Sequence, residues 1–420
     1  MDYVTSIASP IQSLLTSLDS LIFGQSHSSK SRTGLLNHGN TCFLNSVIQS
    51  LVSLNSFDDW LSSDENLGGQ VHVVLSELLH KMHSSTSQPH ATDKLFSTLM
   101  HSGWKRSLHE QQDAHEFFQF LASTLQYERS KAHQQETTLS NLLLMPRLDP
   151  VSIPGVQFSK HIGFMALNKS ITPLPFHGTI FTDITCSLCH TRKPSRYQSV
   201  LSISLELPNI YTGGVVPLSQ LISHYLQTSR VDMVECRLCA LRNDYSRTSC
   251  AYKTCLGKIP QCLCIHLQRT QFHPYGFLYK TQTQVDFPIN LDLGNLHADP
   301  IKPHFLSSMS LGPCSNLNGG VFQSNSLFKN QKLPSLSHPS FSLPTSQTIS
   351  SATPSRATYN LKSVVEHLGE DSSTGHYVSY CRLRDPKSWV FCSDETVRHV
   401  TPDRVKKAQA YMLFYERSPS

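Results

Sequence analysis

The chain is short of long apolar runs, of charge and of basic blocks, and each shortage excludes something. No run of 18 apolar residues occurs in its 420 residues, so no segment has the length to span a bilayer as a helix. Charged residues make up only 15% of the chain, and their balance is +5. No basic block of five or more appears, which argues against a nucleic-acid partner. The 12 cysteines are spread out rather than dense, and two pairs have C-x-x-C spacing. That pattern favours a reducing, cytosol-facing compartment and a metal site over a disulfide framework. Hydrophobic residues are 39% of the chain, a globular share. The length suits one large multi-lobed domain or two to three small ones.

Charge is also scarce in the first 30 residues. Ser9 can cap a helix, Pro10 suits its first position and Gly24 can end it. Ile11, Leu14, Leu15, Leu18, Leu21 and Ile22 make one apolar stripe between them. Residues 1–30 are therefore predicted as an amphipathic helix segment. It packs on the domain or, through 9–24, makes peripheral contact with a membrane or partner. The first basic residue is Lys30, so the stripe has no cationic face and makes a poor mitochondrial presequence.

The densest chemistry lies in the run from Gly34 to Ser46. Gly34 and Gly39 mark a turn, and Phe43, Leu44, Val47, Ile48, Leu51 and Leu54 then recur at helical spacing. With Asn40 or Thr41 as cap, Cys42 falls in the first turn, where the helix dipole favours thiolate. From position alone such a thiol reads equally as a nucleophile and as a small buried hydrophobe. Further helices are predicted over Val71–His83, Thr92–Met100 and Gln111–Gln126. Alternating apolar residues predict strands at Phe176–Ile184 and Ser199–Leu205. Lys258–Arg269 and Tyr359–Gly369 also read as strands, the segments from Gly375 and Trp389 follow, and Ala410–Glu416 reads as a last apolar strand. Cys186, Cys189, Cys236 and Cys239 offer two C-x-x-C turns, enough for one tetrahedral structural Zn²⁺, with 46 residues between the turns. Residues 300–357 are rich in Ser, Pro and Asn and are predicted as a disordered insertion.

The run Gly34-Leu35-Leu36-Asn37-His38-Gly39-Asn40-Thr41-Cys42-Phe43-Leu44-Asn45-Ser46 resembles the cysteine box of the ubiquitin-specific proteases. Further matches follow in order. Gln111-Gln112-Asp113-Ala114-His115-Glu116-Phe117 is similar to the family's Gln-x-Asp-Ala-x-Glu-Phe motif. Cys264-Ile265-His266-Leu267-Gln268-Arg269 looks like a family strand, with Thr270 where an aromatic is usual. Gly375-His376-Tyr377, the Trp389 segment and the Ala410–Glu416 strand resemble the histidine box and closing strand.

That resemblance implies a papain-like α+β fold with thumb, palm and fingers. The thumb would be 31–128, the zinc-bearing fingers 176–257, and the palm 258–299 with 358–417, all within a catalytic domain of 31–417. It implies a cysteine protease that cuts the peptide or isopeptide bond after the C-terminal glycine of ubiquitin, with ubiquitin and ubiquitinated proteins as partners. Cys42 inherits the nucleophile's role, His376 the base's, and Asn37 the side-chain oxyanion donor's. Asp113, Gly375 and Tyr377 are carried over as substrate contacts, with Asp113 binding a basic residue of the ubiquitin tail. The third triad position is Ser393, where the family usually has Asn or Asp, and Asp394 follows it. Ser393 orients the imidazole, or Asp394 does so instead, or the site is inactive. Serine at 393, followed by Asp394-Glu395-Thr396-Val397-Arg398, is similar to a branch with a Cys-His-Ser triad. That branch sits on the mitochondrial outer membrane and opposes mitophagy. It carries a transmembrane anchor, which this chain does not show. Two rival functions stand beside the leading one: a protease for a ubiquitin-like modifier, and a catalytically inactive ubiquitin-binding scaffold.

Overall fold

A computed structural model describes residues 32–63, 68–84, 88–106, 110–143, 172–208, 214–243, 247–272, 275–276, 278–294, 357–369 and 374–418. The N-terminal amphipathic segment and residues 300–356 of the expected insertion lie outside the described residues.

The helical spacing after Gly39 yields the helix Cys42–Leu51, every residue of which is buried. It shares one apolar core with Leu75 and Leu79 of the helix Gln70–His83, and with Phe117, Leu121 and Leu125 of the long helix Ala114–Leu143. Phe43 meets Phe117 edge-on at 5.4 Å, and Trp104 closes the cluster at 5.8 Å from Phe117. Each fully buried side chain of this size contributes about 1.5–3 kcal/mol. The long helix starts at Ala114, later than its apolar pattern suggests. Asp113 Oδ1 accepts from the backbone N–H groups of His115 and Glu116 at 2.7 and 2.9 Å, so the aspartate caps the helix rather than joining it.

An eight-stranded sheet lies against these helices. Its order is Thr396–Val400, Trp389–Ser393, His376–Arg382, Thr358–Leu368, Ala410–Arg417, Cys262–Gln268 and Ile203–Glu206, with Asn290–Asp292 also beside Thr358–Leu368. All pairings are antiparallel except the last in that path. Side chains alternate across a strand. Cys262, Cys264, Met412 and Phe414 accordingly pack with the helices, while Leu263, Ile265, Leu267, Leu413 and Tyr415 face a second core on the far side. The packing role of Cys262 and Cys264 follows directly from this alternation. Arg269 is buried at the end of its strand. Its guanidinium donates to the carbonyls of Ala410, Thr281 and Thr283 at 2.7, 3.2 and 3.0 Å, which ties the returning chain to the sheet.

The four-stranded sheet Arg192–Val200, Gly178–Cys186, Arg247–Leu256, Ser229–Glu235 is antiparallel throughout and carries the cysteine turns at one end. The single strand expected over Ser199–Leu205 is two strands. The chain breaks at Leu201 and Ser202, where it leaves this sheet and enters the larger one. Its apolar alternation runs through the break, so pattern alone joins them. The following helix Leu218–Tyr225 packs through Leu218, Leu221 and Ile222 into the core of the eight-stranded sheet. Together the helical layer, the large sheet and the smaller sheet make the papain-like α+β arrangement.

Candidate active site

Two chain segments more than 300 residues apart build one corner. The Gly34–Thr41 turn runs past the tight turn that follows the Trp389 strand, and Leu35 N–H donates to the Asp394 carbonyl at 2.9 Å. Gly34 allows that approach, because a Cβ there would lie 2.3 Å from the Glu395 carbonyl oxygen. Asp394 itself takes a positive φ of 47°.

Cys42 begins its helix and is 5% exposed. Thr41 occupies the cap position without capping through its side chain. Its hydroxyl instead accepts from His38 N–H at 3.2 Å and donates to Asn37 Oδ1 at 3.0 Å, and Asn37 Oδ1 also takes the Thr41 N–H at 3.1 Å. The backbone amide of Tyr377, next in the chain to His376, lies close enough to the Cys42 sulfur to favour its thiolate. Nucleophile candidate and histidine therefore share the corner. Burial pushes the Cys42 thiol up to about 11; the Tyr377 amide opposes this and the nearby Asp394 charge adds to it. This differs from the ready thiolate expected in a first helical turn, because removing sulfur from water outweighs the turn's amides. Burial likewise holds His376 below its ordinary value, with the Asp394 charge opposing.

His376 Nε2 is 2.9 Å from Ser393 Oγ and 3.8 Å from Asp394 Oδ2. The Asp394 carboxylate is engaged elsewhere. Its Oδ2 accepts from Asn37 Nδ2 at 2.7 Å and its Oδ1 from Asn45 Nδ2 at 2.8 Å. Asn45 also donates to the Leu36 carbonyl at 3.1 Å.

The remaining expected residues lie alongside. Asp113, besides capping its helix, accepts from the Tyr411 hydroxyl. Tyr377 is 7% exposed, with its ring 4.5 Å from His367 and 5.7 Å from Tyr411. Gly375 has an internal reason to be glycine. An added Cβ would stand 2.2 Å from the Leu368 carbonyl oxygen and 2.4 Å from His367 Nε2, so the packing of the fold itself calls for glycine there. Its own carbonyl accepts from Gln111 Nε2 at 2.8 Å. His115 and His266 stack at 3.9 Å with a 12° tilt, and hydrogen-bond to Ser202 and Ser204. Burial lowers both, His266 to about 3. Asn45, Gln111 and Tyr411 were given no role from sequence. Asn45 carried a signal, since it belongs to the cysteine-box run that the sequence matches.

The four cysteines of the smaller sheet come together as expected. Cys186, Cys189, Cys236 and Cys239 place their sulfurs within 4.8 Å of one another, with Cys186 and Cys239 at 3.7 Å and Cys189 and Cys236 at 3.6 Å. A tetrahedron with metal–sulfur bonds of about 2.3 Å has edges of about 3.8 Å, so the group can hold a metal ion. His190 is not part of the grouping.

Comparison with known proteins decides the family. The sequence profile described as ubiquitin carboxyl-terminal hydrolase matches residues 33–415. This chain belongs to that family. It is a cysteine-type deubiquitinase, and among its relatives is ubiquitin carboxyl-terminal hydrolase 30 of Xenopus tropicalis. The two are 30% identical over 437 residues, covering 92% of this chain and 81% of the relative. The human protein of the same name is 30% identical, over 91% and 84%. Human ubiquitin carboxyl-terminal hydrolase 3 is 25% identical, over 91% and 67%. A solved structure of the SAGA deubiquitinating module of Ubp8, Sgf11, Sus1 and Sgf73, bound to ubiquitin aldehyde, aligns with a TM-score of 0.61. At 19% identity over 100% of this chain and 77% of that one, this likeness speaks to the deubiquitinase's fold alone.

Proposed function

We propose that this deubiquitinase hydrolyses the bond after the C-terminal glycine of ubiquitin through Cys42, His376, Ser393 and Asn37. The observation that carries the assignment is the choice made by His376 Nε2, which has Ser393 at 2.9 Å and Asp394 only at 3.8 Å. Ser393 Oγ accepting from Nε2–H fixes the tautomer and makes Nδ1 the proton acceptor. His376 Nδ1 takes the Cys42 proton as the sulfur attacks the scissile carbonyl carbon. The oxyanion so formed meets the Cys42 backbone N–H and the second amide hydrogen of Asn37, whose first is given to Asp394. His376 then returns the proton to the leaving amine, and a thioester on Cys42 remains. Water, deprotonated by His376, cleaves that thioester and releases the ubiquitin carboxylate.

Asp113 keeps lone pairs beyond those its cap and Tyr411 occupy, and these suit a basic residue of the ubiquitin tail. Gly375 and Tyr377 line the same approach. Cys186, Cys189, Cys236 and Cys239 hold structural zinc, which fastens the two turns of the smaller sheet and takes no part in hydrolysis. The sheets support a division into thumb over 31–128, fingers over 176–257 and palm over 258–299 with 358–417. The likeness to hydrolase 30 and the serine at 393 favour a mitochondrial outer-membrane setting. No helix among the described residues is long and apolar enough to cross a membrane.

The test is hydrolysis of a fluorogenic ubiquitin C-terminal amide. Wild type is expected to turn over, Cys42→Ala to be inactive, and Ser393→Ala to be slowed. Full activity in Ser393→Ala with loss in Asp394→Ala, both correctly folded, would move the orienting role to Asp394.

A further inference from the structure

Asn45 stands three residues after Cys42 on the same helix and is 1% exposed. Its amide nitrogen spans two segments, giving one hydrogen to the Leu36 carbonyl and one to Asp394 Oδ1. Asp394 is 7% exposed and held at a positive φ that is uncommon for residues other than glycine. Such a conformation persists where its surroundings over-determine it. Here the determinants are Leu35 N–H on the carbonyl, Asn37 on Oδ2 and Asn45 on Oδ1.

The arrangement sets up a competition. A carboxylate is a stronger partner for imidazolium than a hydroxyl is. Yet the hydroxyl of Ser393 holds His376 Nε2, and the carboxylate stops about an ångström short of it, at 3.8 Å. The two amides explain why. Each carboxylate oxygen is held in place by one amide, and the one facing His376 is the one Asn37 holds at 2.7 Å.

We propose that Asn45 is a positioning residue: by pinning Asp394 Oδ1 it presents Oδ2 to Asn37 and withholds it from His376. The pin does two things at once. It clamps the Asn37 amide where the oxyanion develops, and it makes Ser393 the partner of the imidazole. This rests on the roles of Cys42, His376 and Asn37 given under Proposed function.

The test is a double-mutant cycle on the full chain, reading kcat and KM with the fluorogenic ubiquitin amide. Asn45→Ala lowers kcat roughly 10–100-fold with KM little changed. That is less than the about 10²–10³-fold cost of deleting an oxyanion donor, because Asn37 is loosened and not removed. In the Asn45→Ala background the released carboxylate reaches Nε2, so the penalty of Ser393→Ala shrinks by about fivefold or more, a coupling of ordinary size for groups in one network. Asn45→Ser, too short to reach Asp394, behaves in the same way and serves if the alanine variant melts early. In an Asp394→Ala background, Asn45→Ala adds no further loss in kcat. Penalties at Asn45 and Ser393 that simply multiply, or a rise in KM alone, overturn the proposal. An inactive wild type would instead overturn the catalytic reading beneath it.

Discussion

Cys42 and His376 are both shifted by burial, and in directions that reinforce each other. The thiol goes up to about 11 and the imidazole goes down, so at neutral pH the resting pair is neutral rather than thiolate with imidazolium. Thiolate is the alkylating species. Iodoacetamide labelling of Cys42 without ubiquitin is therefore expected to be slow near pH 7 and still rising past about pH 9. A rate already flat between about pH 6 and 8 would show a preformed ion pair instead. Ser393→Ala is expected to lower kcat roughly 10–100-fold, short of the about 10²–10⁴-fold that positioned proton transfer supplies as a whole. At this scale the sequence was legible in residue identity and silent on partners. The motif names Cys42, His376 and Asn37. Which of Ser393 and Asp394 meets the ring depends on a backbone turn at positive φ and on two amides that arrive from the other end of the chain.

The elements that meet at the corner are held by close backbone contacts, and those were only half legible. Gly34 and Gly375 are motif residues, but their physical reasons are the Glu395 and Leu368 carbonyls pressed against them. Gly34→Ala is expected to destabilise the fold by about 1–3 kcal/mol through overpacking, seen as a lower Tm, and to lower activity with it. An unchanged melt would show that the two turns can part. The stacked pair of His115 and His266 supplies a pH dependence. Both are held below their ordinary value of about 6.5 by burial, so between that value and the folded one the unfolded chain binds more protons. Their stability contribution is full above about pH 6.5 and shrinks as pH falls toward the folded values. The melting temperature is expected to fall from about pH 7 to 5, and His266→Gln to flatten that fall. A slope unchanged by the substitution would assign the acid sensitivity to other groups, His367 among them, which burial takes to about 4. Apolar runs that also match a motif, such as Cys262–Gln268 and Ala410–Arg417, are strands where the sequence places them, buried on both faces. The break at Leu201 and Ser202 was hidden because both sheets demand the same alternation.

Across the whole molecule, the large sheet is fixed mainly by apolar packing on both faces, whereas the end of the smaller sheet has a core of little beyond its thiols, Ile184 and Cys250. Metal there would stand in for apolar burial. Removing it with a chelator is expected to lower the Tm and to raise hydrogen exchange in strands Gly178–Cys186 and Arg247–Leu256, while His376–Arg382 keeps its protection. Purified protein without about one zinc per chain, or exchange unaffected by the chelator, would count against the zinc assignment. Overall class and the order of the sheets' motifs could be read from the chain because each motif is local. The contact between Gly34–Thr41 and Asp394 could not, since it joins residues with no shared periodicity.

The most direct test is the mass of the intact chain after reaction with ubiquitin bearing a C-terminal electrophile. The account predicts a single ubiquitin adduct, mapped by digestion to Cys42 and absent from Cys42→Ala. No adduct, or one on another cysteine, would contradict it.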